Sequence, residues 1–285
     1  MGRLLRQRIE IGVLLAPSVL LLALFVLAPL CVVAAYSFAL RDPYGAVLPG
    51  FTLDNYRELF QSVYLWVFVN SFKLAALTTI LCLAVGYPVA WFIAFRAGPW
   101  APALLMLLLI PFWINFLIRI SAWVVLLGRG GLINQGLVAT GLLDAPIGLL
   151  GTTGATLVGM VYAFLPLTVF PIYAALQPID RRLIEAGADL GATPAQTFLG
   201  VTLPLSLPGV LAAALFVFVP SMGVFAIPVL LGGGKEIILG NLIVQLFLEF
   251  RNMPLGSAVS VLLLALSGVG ILLYMRALRR VEAMK

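Results

Sequence analysis

Between Ile11 and Leu40 the chain reads IGVLLAPSVLLLALFVLAPLCVVAAYSFAL, with no charged side chain in the run. About 20 apolar residues suffice for a helix to cross the hydrocarbon core of a bilayer, and this stretch exceeds that length. Five further charge-free runs follow at 74–95, 97–118, 145–179, 190–234 and 252–275. Of the 285 residues, 63% are apolar and 10% charged, against about 45–50% and roughly 25% in a soluble globular domain. A water-soluble fold has no means of hiding that surface. The pattern is that of an all-α integral membrane protein with about six transmembrane helices.

Arg3, Arg6 and Arg8 precede the first run. That run is longer than the ~7–15-residue core of a secretory signal, so it is expected to remain as an uncleaved first span. Six spans put both termini on one side. That side carries Arg3, Arg6, Arg8, Arg96, Arg181, Arg182, Arg276, Arg279, Arg280 and Lys285, while the other carries Arg41, Arg57, Arg129, Lys235 and Arg251. Lys73 lies at the edge of a span and Arg119 within one. The excess of basic residues predicts cytoplasmic termini. The spans are expected near 11–37, 68–95, 101–127, 152–176, 205–231 and 254–275. Thr193, Pro194, Gln196, Thr197, Pro204 and Pro208 make the first third of the 190–234 run poor transmembrane material. A seventh span there would carry Arg276, Arg279 and Arg280 to the wrong side. Residues 1–285 are therefore expected to form a single transmembrane domain with a cytoplasmic loop at 177–204.

Missing residues exclude several chemistries. With no histidine in the chain, His-based triads and the usual zinc and haem ligand sets fall away. Cys31 and Cys82 lie in apolar runs without CxxC spacing, which fits small buried side chains rather than a redox or metal site. Gly232-Gly233-Gly234-Lys235 lacks both the earlier glycine and the following Ser or Thr of a phosphate-binding loop, those places holding Val229 and Glu236. Gly128-Arg129-Gly130 is followed by Ile133 where a dinucleotide fingerprint needs its last glycine. The chain is expected to bind no cofactor and no metal. Its formal charge of +6 sits at span ends, which marks membrane orientation rather than nucleic-acid binding.

The loop between the fourth and fifth spans has local structure of its own. Asp180 is placed to cap a helix through Arg181-Arg182-Leu183-Ile184-Glu185-Ala186-Gly187-Ala188-Asp189-Leu190, and Gly191 supplies the left-handed residue that ends it. Thr193 and Gln196 have capping-box spacing, with Pro194 at the first helical position. A helix, a turn and a second helix are expected to project from the membrane. Ala186, Gly187 and Ala188 are small enough for another protein to approach the backbone, with Arg181, Arg182 and Glu185 as a polar rim.

Residues 185–192, Glu-Ala-Gly-Ala-Asp-Leu-Gly-Ala, followed by Val201-Thr202-Leu203-Pro204, resemble the Glu-Ala-Ala-x-x-x-Gly loop of ABC importer permeases. The chain departs from that pattern in having Gly187 for the second Ala. In that family the loop is a coupling helix seated in a groove of a cytoplasmic ATPase. The resemblance thus implies coupling roles for Arg181, Arg182, Glu185, Ala186, Gly187, Asp189 and Gly191. Gly86-Tyr87-Pro88-Val89-Ala90-Trp91-Phe92, residues 110–119 (IPFWINFLIR) and Asn252-Met253-Pro254-Leu255-Gly256-Ser257-Ala258 are similar to the membrane subunits of spermidine/putrescine importers, specifically the first of their two permeases. This implies a type I ABC importer permease fold in a bacterial inner membrane. The implied partners are a second six-helix permease in a heterodimer, an ATPase homodimer holding ATP and Mg, and an extracytoplasmic solute-binding protein.

Arg119 sits inside an apolar block, where a charge costs about 2.5–3.5 kcal/mol on insertion scales. It either lines the solute pathway together with Trp113 and Asn115, or lies near the outer end of its helix, snorkelling or pairing with a carbonyl or carboxylate, with Trp123 nearby marking an interfacial belt. Trp91, Tyr162 and Phe225 are further pathway candidates, with packing as the alternative. Polyamine permeases commonly carry an acidic residue where this chain has Val229, and no Asp or Glu falls inside the spans as drawn. The cargo is accordingly a polyamine or related small amine, or else a zwitterionic or anionic solute such as an amino-acid derivative, opine or phosphonate. Pro166, Pro171, Pro208, Pro220 and Pro228 allow the fourth and fifth spans to bend, for hinging or for packing. An ion-coupled secondary transporter is the reading from another class, but it calls for intramembrane carboxylates and often an inverted repeat, neither of which is found. The chain itself is expected to be no enzyme, ATP hydrolysis residing in a partner.

Overall fold

The structure is a computed structural model and describes residues 2–42, 47–235 and 237–282, without the side chains of residues 2–14, Ala188 and 280–282. The terminal charges Arg3, Arg6, Arg8, Arg280 and Lys285 lie outside the described side chains. In chain order it forms α1 (Gly2–Tyr36), the antiparallel pair β1 (Leu40–Arg41) and β2 (Val47–Leu48), α2 (Asp54–Glu58), α3 (Ser62–Phe95), α4 (Ala101–Leu109), α5 (Phe116–Leu127), α6 (Leu132–Ala139) and α7 (Thr153–Leu176). There follow α8 (Arg181–Asp189), α9 (Pro194–Thr197), α10 (Leu203–Gly223), α11 (Ala226–Leu230), α12 (Leu239–Val244) and α13 (Met253–Glu282). Among the described residues, 6 stretches are long and apolar enough to cross a membrane: Leu15–Tyr36, Ser62–Phe95, Phe116–Ala139, Thr153–Leu176, Pro194–Gly223 and Met253–Arg279.

Two of these differ from the expected cuts. Residues 101–127 are not one helix. α4 gives way to a 3-10 turn over Ile110–Trp113, Ile114 is extended (φ −83°, ψ 141°), and α5 restarts behind Asn115, whose side chain accepts from the Leu117 N–H at 2.9 Å. Pro111 lacks the N–H that would continue the ladder. The next helix begins at Pro194 and runs to Gly223, so it takes in the polar flank expected to stay outside and stops short of residue 231. A π-type turn over Phe198–Thr202 absorbs that flank, with the Leu203 N–H reaching back to the Phe198 carbonyl. The widened turn stands just before Pro204, where the ring would otherwise clash with the preceding turn.

The chain divides into two compact units, 1–64 with 243–264, and 65–242 with 265–285. In the first, the Asn55 amide donates to the Ser37 and Ala39 carbonyls at 3.0 Å each, and Ser37 Oγ lies 2.8 Å from Tyr56 Oη. The second is held by close helix packing. Lipid supplies no hydrophobic drive between helices, so contact rests on small residues and interhelical hydrogen bonds. At Gly209 an added Cβ would stand 2.5 Å from both Ala175 Cβ and the Pro171 carbonyl oxygen, bringing α10 onto α7. At Gly86 it would stand 2.7 Å from Thr168 Cγ2, bringing α3 onto α7. Tyr87 Oη and Ser206 Oγ lie 2.8 Å apart and tie α3 to α10, and the buried Ser71 Oγ accepts from the Leu239 N–H at 2.7 Å.

Candidate functional site

Helix α8 is closed at both ends by its own residues. At its start the Arg182 N–H donates to Asp180 Oδ1 at 3.0 Å. At its end Gly191 has φ +82°, and the Ala192 N–H donates to the Gly187 carbonyl at 3.0 Å. This is the six-to-one bond of a Schellman ending, which a left-handed residue makes possible. One residue later Thr193 and Gln196 form a reciprocal capping box, the Thr193 N–H donating to Gln196 Oε1 at 2.8 Å and the Gln196 N–H to Thr193 Oγ1 at 3.3 Å.

The helix has two distinct faces. Arg181, Arg182, Leu183, Glu185, Ala186, Asp189 and Leu190 are exposed, Leu190 to 88%. Leu183, Ala186 and Leu190 fall on one face by helical spacing. Ile184 and Gly187 turn the other way. Ile184 lines a cavity of about 270 Å³ with Trp91, Pro194 and Phe198, and a Cβ on Gly187 would come within 3.0 Å of Thr197 Oγ1. By sequence, Gly187 groups with Ala186 and Ala188 as a surface offered to another protein. In the structure it faces Thr197 of its own chain, because each residue turns the helix by a fraction of a circle and neighbours cannot share a face. The Ala188 side chain lies outside the described residues.

The residues proposed for the pathway do not form one group. Arg119 is 8% exposed and donates from Nη1 to the Pro111 carbonyl at 3.1 Å. Its guanidinium lies 4.6 Å from the Phe112 ring centroid, 5.7 Å from that of Phe116 and 5.8 Å from that of Tyr162. Arg119 and Tyr162 are thus together. Of the two sequence readings of Arg119, pairing with a carbonyl is what the geometry contains. Trp123 packs edge-on against Tyr162 at 5.4 Å and against the buried core. Asn115 is used as the helix cap of α5. Trp113 is 78% exposed in the 3-10 turn, and Phe225 is 46% exposed in the break between α10 and α11. Trp91 belongs elsewhere: it lines the cavity behind α8, with the Arg96 guanidinium 6.0 Å from its ring. Sequence reasoning missed Phe112 and Phe116 as the rings around Arg119. The i, i+3 spacing of Phe116 and Arg119 was the available signal.

The arrangement, membrane-crossing helices with a short capped helix between two of them, is that of an ABC transporter permease. A chain of the bacterial alginate ABC transporter, solved in complex with an alginate pentasaccharide-bound periplasmic protein, superposes with a TM-score of 0.79 over 99% of this chain and 98% of that one, at 18% identity. The MetNI methionine ABC transporter gives 0.54 over 78% of this chain and 99% of that one, at 22% identity. No family model matches the chain. The sequence is 41% identical over 258 residues to the spermidine/putrescine transport system permease protein PotB of Escherichia coli K12, covering 90% of this chain and 94% of that protein. It is 43% identical over 256 residues to PotB of Haemophilus influenzae, covering 90% of each. The chain belongs to the spermidine/putrescine transport system permease family.

Proposed function

We propose that this permease moves polyamines inward across the bacterial inner membrane, with both termini in the cytoplasm. In this reading it pairs with a second permease, solute arrives from an extracytoplasmic binding protein, and two copies of an ATPase that binds ATP and Mg supply the free energy. The observation that carries the proposal is α8: a helix stabilised by its own caps, lying between two membrane-crossing helices and presenting Leu183, Ala186 and Leu190 within a charged rim. An amphipathic face of this kind is what a helix needs to lie in a groove of another protein. Continuity of the helix from Pro194 to Gly223 supports a mechanical role, since a push on α8 reaches α10 through Gly187 and Thr197.

The names of the relatives support polyamines as cargo. The chain offers a polycation aromatic faces such as Trp113 rather than carboxylates, and cation–π contact is a workable substitute. The reading of a zwitterionic or anionic solute starts from Val229 and the lack of Asp or Glu in the expected spans, with Arg119 as the cation that would meet such a solute. Arg119 lies in apolar surroundings with a carbonyl already bound, which is poor ground for a hydrophilic solute. The test is ATP hydrolysis by the reconstituted transporter in the presence of its binding protein loaded with spermidine, putrescine, an amino acid or a phosphonate. Stimulation by the polyamine-loaded protein, lost on Glu185→Lys, supports the proposal. Uptake that needs no ATPase and follows a proton gradient contradicts it.

A further inference from the structure

Arg119 is less satisfied than its single carbonyl contact implies. The side chain is 8% exposed, and its Nε is buried without a hydrogen-bond partner. Among the described residues no carboxylate pairs with it. A guanidinium does not shed its proton inside a protein, so the charge is permanent. The same side chain forms part of the wall of a cavity of about 330 Å³, otherwise built from apolar residues such as Val89, Ile93, Leu104, Leu108 and Leu165. That volume lies in the lower part of the roughly 300–1,000 Å³ typical of ligand cavities. The rim residues Phe92, Leu107 and Phe112 are 52%, 62% and 36% exposed, so the cavity opens onto apolar surface.

One fixed cation in the wall of a cavity that is apolar elsewhere is complementary to a molecule with an anionic head and a hydrocarbon tail. We propose that this cavity binds an anionic phospholipid, its phosphodiester against Arg119 and a segment of acyl chain between α3, α4 and α7. A polyammonium solute is repelled by Arg119. A small hydrophilic anion gains nothing from the apolar walls. The N-terminus of α5, whose opening turns contain Arg119, adds partial positive charge on the same side. The site does not depend on which solute the permease carries.

The test uses the full chain purified in mild detergent, exchanged into mixed phosphatidylglycerol and phosphatidylethanolamine, and stripped stepwise while native mass spectrometry reads the retained lipid. Phosphatidylglycerol is expected to be retained about ten-fold over phosphatidylethanolamine, the scale of one charge-assisted hydrogen bond. Arg119→Gln should abolish that preference. Leu108→Trp keeps the charge but fills the tail cavity, and should lose the bound lipid even if Arg119→Gln fails to fold. Equal retention of the two lipids by the wild type, or unchanged retention in Leu108→Trp, overturns the proposal. Inorganic phosphate is the other source of the same chemistry. Displacement of phosphatidylglycerol by phosphate alone would make this a free-anion site and overturn the lipid assignment, whereas indifference to phosphate supports it.

Discussion

Arg119 Nη1 donates to the Pro111 carbonyl oxygen at 3.1 Å, so the one charge buried in the α4–α5 region closes the break in its own backbone. That carbonyl also accepts from the Ile114 N–H at 3.2 Å. A break in helical backbone leaves polar groups that need partners inside the protein, and Arg119 is one such partner.

The magnitudes nearly cancel. Burying the charge costs about 2.5–3.5 kcal/mol, while a charged hydrogen bond returns about 1.5–3 and ring contacts about 0.5–1. Arg119→Met, which leaves Ile114 on the carbonyl, is expected to change thermal stability in detergent by no more than about 1 kcal/mol. A loss well above that would assign Arg119 a mainly structural role.

At Gly187 two effects oppose each other. Ala is favoured over Gly in a helix by about 1 kcal/mol, whereas overpacking costs about 1–3 kcal/mol. Because the added Cβ would lie 3.0 Å from Thr197 Oγ1 and 3.2 Å from Thr197 Cγ2, Gly187→Ala alone is expected to be neutral or mildly destabilising for α8. Gly187→Ala with Thr197→Ala removes the obstacle and should stabilise it. Hydrogen exchange of residues 181–192 measures both, and the account fails if the second substitution brings no added protection.

Gly191 is in the left-handed region at φ +82° with open space around it, so only backbone conformation restricts its replacement. Gly191→Ala should cost about 1–2 kcal/mol at the end of α8, and Gly191→Asn less. The predicted readout is faster amide exchange at Ala192, whose N–H bonds the Gly187 carbonyl.

Two glycines, Gly209 where α10 meets α7 and Gly268 on α13, supply a contrast. Gly209→Ala meets the Pro171 carbonyl at 2.5 Å, a backbone atom that cannot step aside, and should destabilise the protein by about 1–3 kcal/mol or more. Gly268→Ala has no atom within 4 Å and should be neutral or slightly stabilising. Melting temperatures of the two variants in one detergent decide the matter.

What the sequence made legible was local. The caps at Asp180 and Thr193 and the ending at Gly191 depend on residues a few positions apart, and the structure forms all three. The membrane-crossing character of the helices followed from composition alone. The break at Pro111 was not legible, because proline does not break every helix: Pro166 and Pro171 both lie inside the continuous α7. What differs at Pro111 lies beyond the proline itself: Ile114 turns extended after it, and the Arg119 guanidinium, eight residues on, donates to the Pro111 carbonyl. The separation of Trp91 from Arg119 was equally hidden. Nothing in its flanking residues shows that Trp91 faces the cavity behind α8.

The central claim is that α8 is gripped by a separate motor protein. Placing a photo-crosslinking amino acid at Leu190, 88% exposed at the end of α8, tests it in membranes containing the whole transporter. The account predicts a crosslink to the ATPase subunit that weakens in Gly191→Ala. Crosslinks to lipid or to this chain alone would contradict it.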